Sequence, residues 1–225
     1  MKAEEMEARI KALENQLRVV QDIHEIEKLQ RIYGYYLEHW MAAEIIDLFS
    51  DGPDVALEWP EGTHLGKDGV KRYFEGNEKK DPEFLHQLMQ LSPVIDVDPD
   101  GKTAKGRWYS FGGVAMPRGG GVSQSYISGT YENEYVKEGG KWKIKRIRWH
   151  LNFSASPREG FVKPERVAAI DPNAKLQGPK PAIPDTRFEL QYPSGHIFPF
   201  HFKHPVTGKK TTEEQRNKSA KPVKR

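Results

Sequence analysis

The chain has 225 residues, no cysteine, 35 Lys and Arg against 32 Asp and Glu, and a formal net charge of +3, which admits one domain with a full core plus extensions. Without cysteine there are no disulfides, thiolate nucleophiles or cysteine metal sites, and a reducing cytoplasm is the expected compartment. The basic surplus gathers in a tail expected to be solvated, Lys209 to Arg225, rather than on a body that would track phosphates, and no apolar leader or bilayer-length stretch occurs, so neither nucleic acid, membrane nor export is expected.

Ile10, Leu13, Leu17 and Val20 recur at three- and four-residue intervals among charged residues. This predicts an amphipathic helix with a narrow apolar seam of the kind that packs on a neighbour. Ile26, Leu29, Tyr33, Tyr36, Leu37 and Trp40 continue the helical period with a broader, aromatic stripe that should face the main core. A short helix over Ala42 to Phe49 is stopped by Ser50-Asp51-Gly52-Pro53. Val55, Leu57 and Trp59 alternate as a strand face, and Gly66 to Phe74 reads as a capped helix with Val70, Tyr73 and Phe74 on one side.

From residue 88 the period becomes two. Val94 to Val97 ends at the turn Asp98-Pro99-Asp100-Gly101; Thr103 to Val114, Gln124 to Val136 and Lys141 to Phe153 follow as an antiparallel meander. Helices first and a meander second define an α+β fold with helices on one face of a curved sheet. The expected layout is an N-terminal amphipathic helix over 1–22, the α+β body over 23–155, a proline-rich extension over 156–208 docked on the body or a partner, and a basic disordered tail over 209–225.

His86 lies in the mostly apolar run Phe84-Leu85-His86-Gln87-Leu88-Met89. An imidazole walled in by apolar groups can trade protons with a substrate near neutral pH; the competing reading is a satisfied core histidine. Tyr33 and Tyr36 share a helix face, where their hydroxyls either protonate a leaving oxygen or serve as ordinary core rings. Arg107 shares strand parity with Tyr109 and Phe111 and is a candidate for stabilising a phenolate or alkoxide if that face lines a cavity. Trp59, Trp108, Tyr126, Tyr131, Trp149 and His150 supply aromatic surface suited to a flat aromatic ligand, or else to a bulky core and dimer interface, with His150 a candidate second acid or base. The glycines around Pro117-Arg118 lack a phosphate-loop ending and read as a mobile hairpin or lid. His196, His201 and His204 lack a completing carboxylate, so no metal or cofactor is expected, and no nucleophile elbow occurs.

Tyr33-Gly34-Tyr35-Tyr36-Leu37-Glu38, Ile45 to Phe49, Val55 to Trp59, Gly66-Lys67-Asp68-Gly69-Val70, His86, Gly129-Thr130-Tyr131-Glu132-Asn133 and Lys141-Trp142-Lys143-Ile144 together resemble the SnoaL-like branch of the nuclear transport factor 2-like superfamily from about residue 20 to about residue 155. The resemblance implies a cone in which a curved sheet wraps a long helix around a deep pocket, commonly paired into a dimer through the outer sheet. Members include dehydratases, ketosteroid isomerases, polyketide cyclases and binding proteins, so the fold leaves the chemistry open. In the dehydratase-like members a carboxylate on the first core helix faces a histidine ahead of the meander. Glu38 and His86 stand at those positions, with Glu where the family usually has Asp.

A closer resemblance, carried by Gly106-Arg107-Trp108, Tyr192-Pro193-Ser194-Gly195 and Phe200 to Gly208, is to lyases that remove formaldehyde from lignin-derived diarylpropane and phenylcoumaran dimers without a cofactor. It implies a cofactor-independent lyase acting on a small phenolic substrate by general acid-base catalysis. A dehydratase or isomerase on another aromatic compound, or a non-catalytic binding protein, are the alternatives. A homodimer or higher homo-oligomer is the expected assembly, from the seam and the extension.

Overall fold

The computed structural model describes residues 2–77, 84–118 and 120–158, and singly residues 160, 182, 201, 210 and 212. In chain order the elements are helix α1 (Ala3–Glu38), helix α2 (Ala42–Asp47), strands β1 (Ala56–Trp59) and β2 (Gly62–Leu65), helix α3 (Gly66–Asn77), and strands β3 (Leu85–Val97), β4 (Thr103–Arg118), β5 (Gly121–Glu138) and β6 (Lys141–Ala155). This is the expected α+β architecture, a curved and unclosed sheet with helices against it.

The seam helix and the aromatic helix are one. No glycine or proline separates Val20 from Ile26, and the junction is pinned to the body. Asp22 is buried, accepts from Trp142 Nε1 at 2.9 Å and pairs with Lys137 and Arg18. Burying a carboxylate without such partners would cost several kcal/mol.

The helix ends in a Schellman motif: Met41 N donates to Tyr36 O at 3.0 Å and Trp40 N to Leu37 O at 3.1 Å. The residue that must be left-handed there is Trp40, at φ 48°, where glycine would be usual. Its indole compensates, donating to Phe74 O at 3.2 Å and touching the rings of Phe84, Tyr73 and His86.

The sheet order is β2-β1-β6-β5-β4-β3. The meander appears as expected, and three features were not read from sequence. Strand β3 starts at Leu85, so His86 lies within it, paired with Val114. Strand β2 forms an edge hairpin with β1, and β1 joins the meander in parallel with β6. A register shift between Leu91 and Val94, with Ser92 left-handed at φ 50°, interrupts the β3–β4 ladder as a bulge does. The glycine-rich stretch is the β4–β5 hairpin, paired as far as Arg118 with Gly121.

Strand alternation gives the sheet an inner face, against α1 and α3, and an outer one. The inner face carries Leu57, Trp59, Trp108, Tyr131, Tyr135, Ile144 and Ile147, all in the core with Tyr33, Leu37, Trp40 and Phe74. The proline-rich extension lies almost wholly outside the described residues. Two of its positions meet the body: Ala182 N donates to Thr63 O at 2.7 Å, and the His201 ring lies 2.8 Å from Glu132 Oε2 and 3.4 Å from Asp96 Oδ2.

Candidate active site

Inside the sheet's curve the aromatic side chains form a continuous chain of contacts. His86 lies 5.3 Å from Trp40, ring centre to ring centre; Trp40 lies 6.3 Å from Tyr73, Tyr73 5.7 Å from Trp59, Trp59 6.0 Å from Trp149, Trp149 6.4 Å from Tyr131, and Tyr131 6.4 Å from Tyr33. The rings come from α1, α3, β1, β3, β5 and β6, so the lining exists only once the sheet has wrapped the helices. Gly129 makes room for one of them. A Cβ there would lie 2.1 Å from Trp149 Nε1, and the indole instead donates to Ser110 Oγ at 2.9 Å.

Polar groups are set into this lining sparingly. The Tyr33 and Tyr131 hydroxyls, Trp59 Nε1 and His86 Nδ1 are buried without a hydrogen bond of ordinary geometry among the described residues. Such groups each cost about 1–3 kcal/mol, more than a core built only for packing would spend. Tyr33 and Tyr131 act on one another, and Gln90, from the inner face of β3, acts on Tyr131. Gln90 is itself held by Gln30 Nε2 at 2.9 Å. Below it, Gln30 Oε1 accepts from Asn133 Nδ2 and the Tyr135 hydroxyl, each at 2.9 Å, and Trp108 Nε1 donates to that hydroxyl at 3.0 Å.

The electrostatics follow from burial. Burial holds the Tyr33 phenol well above its ordinary pKa, and the neighbouring Tyr131 and Tyr73 push it the same way. Tyr73 is raised by burial, then by Glu61 and Tyr131; Tyr131 is raised by burial against the pull of Gln90 and Tyr33. Burial pushes His86 down to about 4, so its imidazole is neutral at pH 7. Glu61, in the β1–β2 turn, has its carboxyl raised by burial. His64, 5.0 Å from the Tyr73 ring, is lowered by burial and then by Arg72. The aromatic interior therefore holds protonated phenols as donors, a neutral imidazole as acceptor and a carboxyl displaced toward its neutral form.

The structure sorts the residues expected from sequence. Tyr33, Trp59, Trp108, Tyr131, Trp149 and His86 belong to the inner side, and Tyr36 packs at the margin of the same core. Glu38 and His86 do not face each other. Glu38 accepts from Gln87 Nε2 at 3.4 Å and lines an open groove with Arg31, Tyr35 and Met89; Gln87 follows His86 in β3 and so presents the opposite sheet face. Arg107 points away from the chamber as well, because its parity partners are outer residues. It is buried against Glu132, which His201 also contacts. Tyr109, Phe111, Tyr126 and His150 share that outer face through the pairs Arg107↔Glu132, Tyr109↔Thr130, Gly113↔Tyr126 and Thr130↔His150.

Sequence reasoning missed Trp40 as a neighbour of His86, and Tyr73, Glu61 and Gln90 as groups coupled to the buried tyrosines. Tyr73 did carry a signal, a hydroxyl on the buried stripe of a helix. Glu61, between Pro60 and Gly62, had none, because a turn has no periodicity. Among the described residues no group of three or more His, Asp or Glu is placed to hold a metal ion, and His196 and His204 lie outside them. Nor is any helix among them long and apolar enough to cross a membrane.

A curved, unclosed sheet around helices, with a few polar groups set into an aromatic interior, defines the cone-shaped α+β class of small-molecule proteins. Residues 18–148 match the SnoaL-like domain, more than half of the chain, and the chain belongs to that family. Enzymes such as dehydratases and isomerases are frequent in it. Among solved structures the chain is similar to a candidate scytalone dehydratase from Novosphingobium aromaticivorans, at 21% identity over 66% of this chain and 93% of the other, with a TM-score of 0.51. It is also similar to a candidate aromatic ring hydroxylase from the same organism, at 18% identity over 59% and 90%, with a TM-score of 0.50. At these identities the likeness is one of fold.

Proposed function

We propose that the chain is a cofactor-independent lyase that holds a hydrophobic phenolic compound in the aromatic chamber and converts it by general acid-base catalysis. One observation supports this reading: Tyr33, Tyr131, Trp59 and His86 each place a buried polar atom that makes no hydrogen bond of ordinary geometry among the described residues within a single aromatic lining. A flat guest bearing hydroxyls satisfies both requirements, its rings against indoles and phenols and its oxygens against three donors and one acceptor.

The substrate in this proposal is a diarylpropane diol with a free phenol. Tyr33 and Tyr131, protonated at neutral pH, donate to the oxygens of the guest, and one assists departure of the benzylic hydroxyl as water. The tyrosinate left by that donation takes the phenolic proton, which leaves a quinone methide; the proton on His86 later returns to the phenolate. His86 then takes the proton of the terminal hydroxyl; the carbon-carbon bond to that carbon breaks, formaldehyde leaves, and the bonding electrons restore the aromatic ring. The diol becomes a stilbene, one water and one formaldehyde, with no change that needs an external oxidant.

The test is to incubate such a diol with the protein and measure formaldehyde, stilbene and product mass. Equal yields of formaldehyde and stilbene are expected, with His86→Ala and Tyr131→Phe slowed by roughly 10²-fold or more. Loss of water alone would make the enzyme a dehydratase. Rates unchanged in His86→Ala would remove the imidazole from the mechanism, and conversion of no candidate phenol would overturn the enzymatic reading.

A further inference from the structure

We infer that the first five turns of α1 form a parallel, in-register coiled coil with a second copy of the same chain. Every residue from Lys2 to Leu17 is exposed, so α1 runs free of the body for about 22 Å at 1.5 Å per residue. Its apolar residues nevertheless keep one line. Met6, Ile10, Leu13, Leu17 and Val20 are spaced four, three, four and three residues apart, and are 46% to 63% exposed. This is a heptad seam with Ile10 and Leu17 at a, and Met6, Leu13 and Val20 at d.

The seam is not waiting for its own body. Where α1 reaches the sheet, it docks with the opposite side of the helix. Asp22 pairs with Lys137 and Trp142, and Arg18 lies over the Asp98 to Gly101 turn, where a Cβ on Gly101 would come within 1.6 Å of its guanidinium. Leu17 and Val20, at the same level, turn outward at 57% and 63% exposure. A free helix of this length is marginal in water without a partner for its apolar line.

The charges beside the seam select the partner and its direction. In the heptad frame Arg9 falls at g and Glu14 at the following e, five residues later. A parallel in-register pair sets each chain's Arg9 against the other's Glu14, twice over. An antiparallel pair sets g beside g and e beside e, which brings Glu7 and Glu14 of one chain toward those of the other. Gln16 and Gln21, the next such pair, are neutral. A second copy of this chain, side by side, is the occupant the charges fit.

The chain has no cysteine, so single cysteines report the geometry directly. In the full-length protein Leu13→Cys and Val20→Cys are each expected to cross-link to themselves under mild oxidation, because only a parallel in-register pair brings both d positions to their own copies. Arg9→Glu and Glu14→Arg, each added to Leu13→Cys, are expected to slow cross-linking by roughly tenfold, and mixing the two to restore it, since opposite charges then meet at both sites. These positions are exposed, and the thermal unfolding of each variant checks that the body is intact. Cross-linking at only one of the two positions, none at either, or rates indifferent to the charge changes would overturn the inference.

Discussion

Lowering the pH should expose the cost of keeping His86 neutral. Its imidazole falls from an ordinary 6.5 to about 4 through burial. A histidine whose folded pKa is depressed costs nothing well above 6.5, where both states are neutral. As pH falls from 6.5 toward 4 the unfolded chain takes up a proton that the folded chain refuses, so stability is lost across that window. Integrated, the two values give a loss of about 2 kcal/mol between pH 7 and pH 5 from this residue alone. Leucine at 86 keeps an apolar side chain against Trp40 and removes the proton. Urea unfolding of wild type and His86→Leu at pH 7 and pH 5 isolates the effect, because His64 and every other titrating group is common to both chains. Whatever the offset at pH 7, the difference should shift by about 2 kcal/mol in favour of the variant at pH 5. Parallel pH profiles would show that His86 is not shielded from water, and the proposed mechanism would lose its acceptor.

Tyr33→Phe should change stability by no more than about 1 kcal/mol, since the buried hydroxyl it removes has only a poorly aligned contact with Tyr131, while turnover of a phenolic substrate falls; thermal unfolding beside the activity assay separates the two. Gly129→Ala should displace the Trp149 indole, break its hydrogen bond to Ser110 and cost about 1–3 kcal/mol, with a change in tryptophan fluorescence, because the new methyl would lie 2.1 Å from Nε1. At Trp40 both small variants lose the indole, but glycine alone accepts φ 48° without strain. Trp40→Gly should therefore unfold at higher urea than Trp40→Ala by about 1 kcal/mol, the reverse of the usual helical order, and an alanine variant as stable as the glycine one would refute the left-handed cap.

The meander, its turns and the aromatic face of α1 were legible in the sequence because each carries a period that one buried face imposes. What the period could not supply was the identity of the buried face on β4, where Trp108 and Tyr109 lie on opposite sides and both sides carry rings. That choice is made from outside the strand, by α1, whose Gln30 bonds the Tyr135 hydroxyl that Trp108 also bonds. Arg107 then falls outward, where Glu132 neutralises it. The pairing of Glu38 with His86 was inferred from family positions rather than periodicity. It fails here because β3 starts early and turns Gln87, not His86, toward Glu38.

The chemistry of the aromatic interior depends on its being assembled from distant segments. Tyr33, Glu61, Tyr73 and Tyr131 come from a helix, a turn, a second helix and a central strand, and no two stand close enough in sequence to form a motif. Their electrostatic coupling, Tyr73 acting on Tyr33 and Glu61 on Tyr73, arises only after burial has removed the water that would screen it. Burial holds the phenols protonated, and at Tyr33 and Tyr73 repulsion from neighbouring ionised groups adds to it. A proton donor that stays loaded at neutral pH and an imidazole that stays unloaded, in one aromatic interior, result from the same desolvation acting on groups of opposite charge type. The wrapped sheet thus sets acid and base apart in one step.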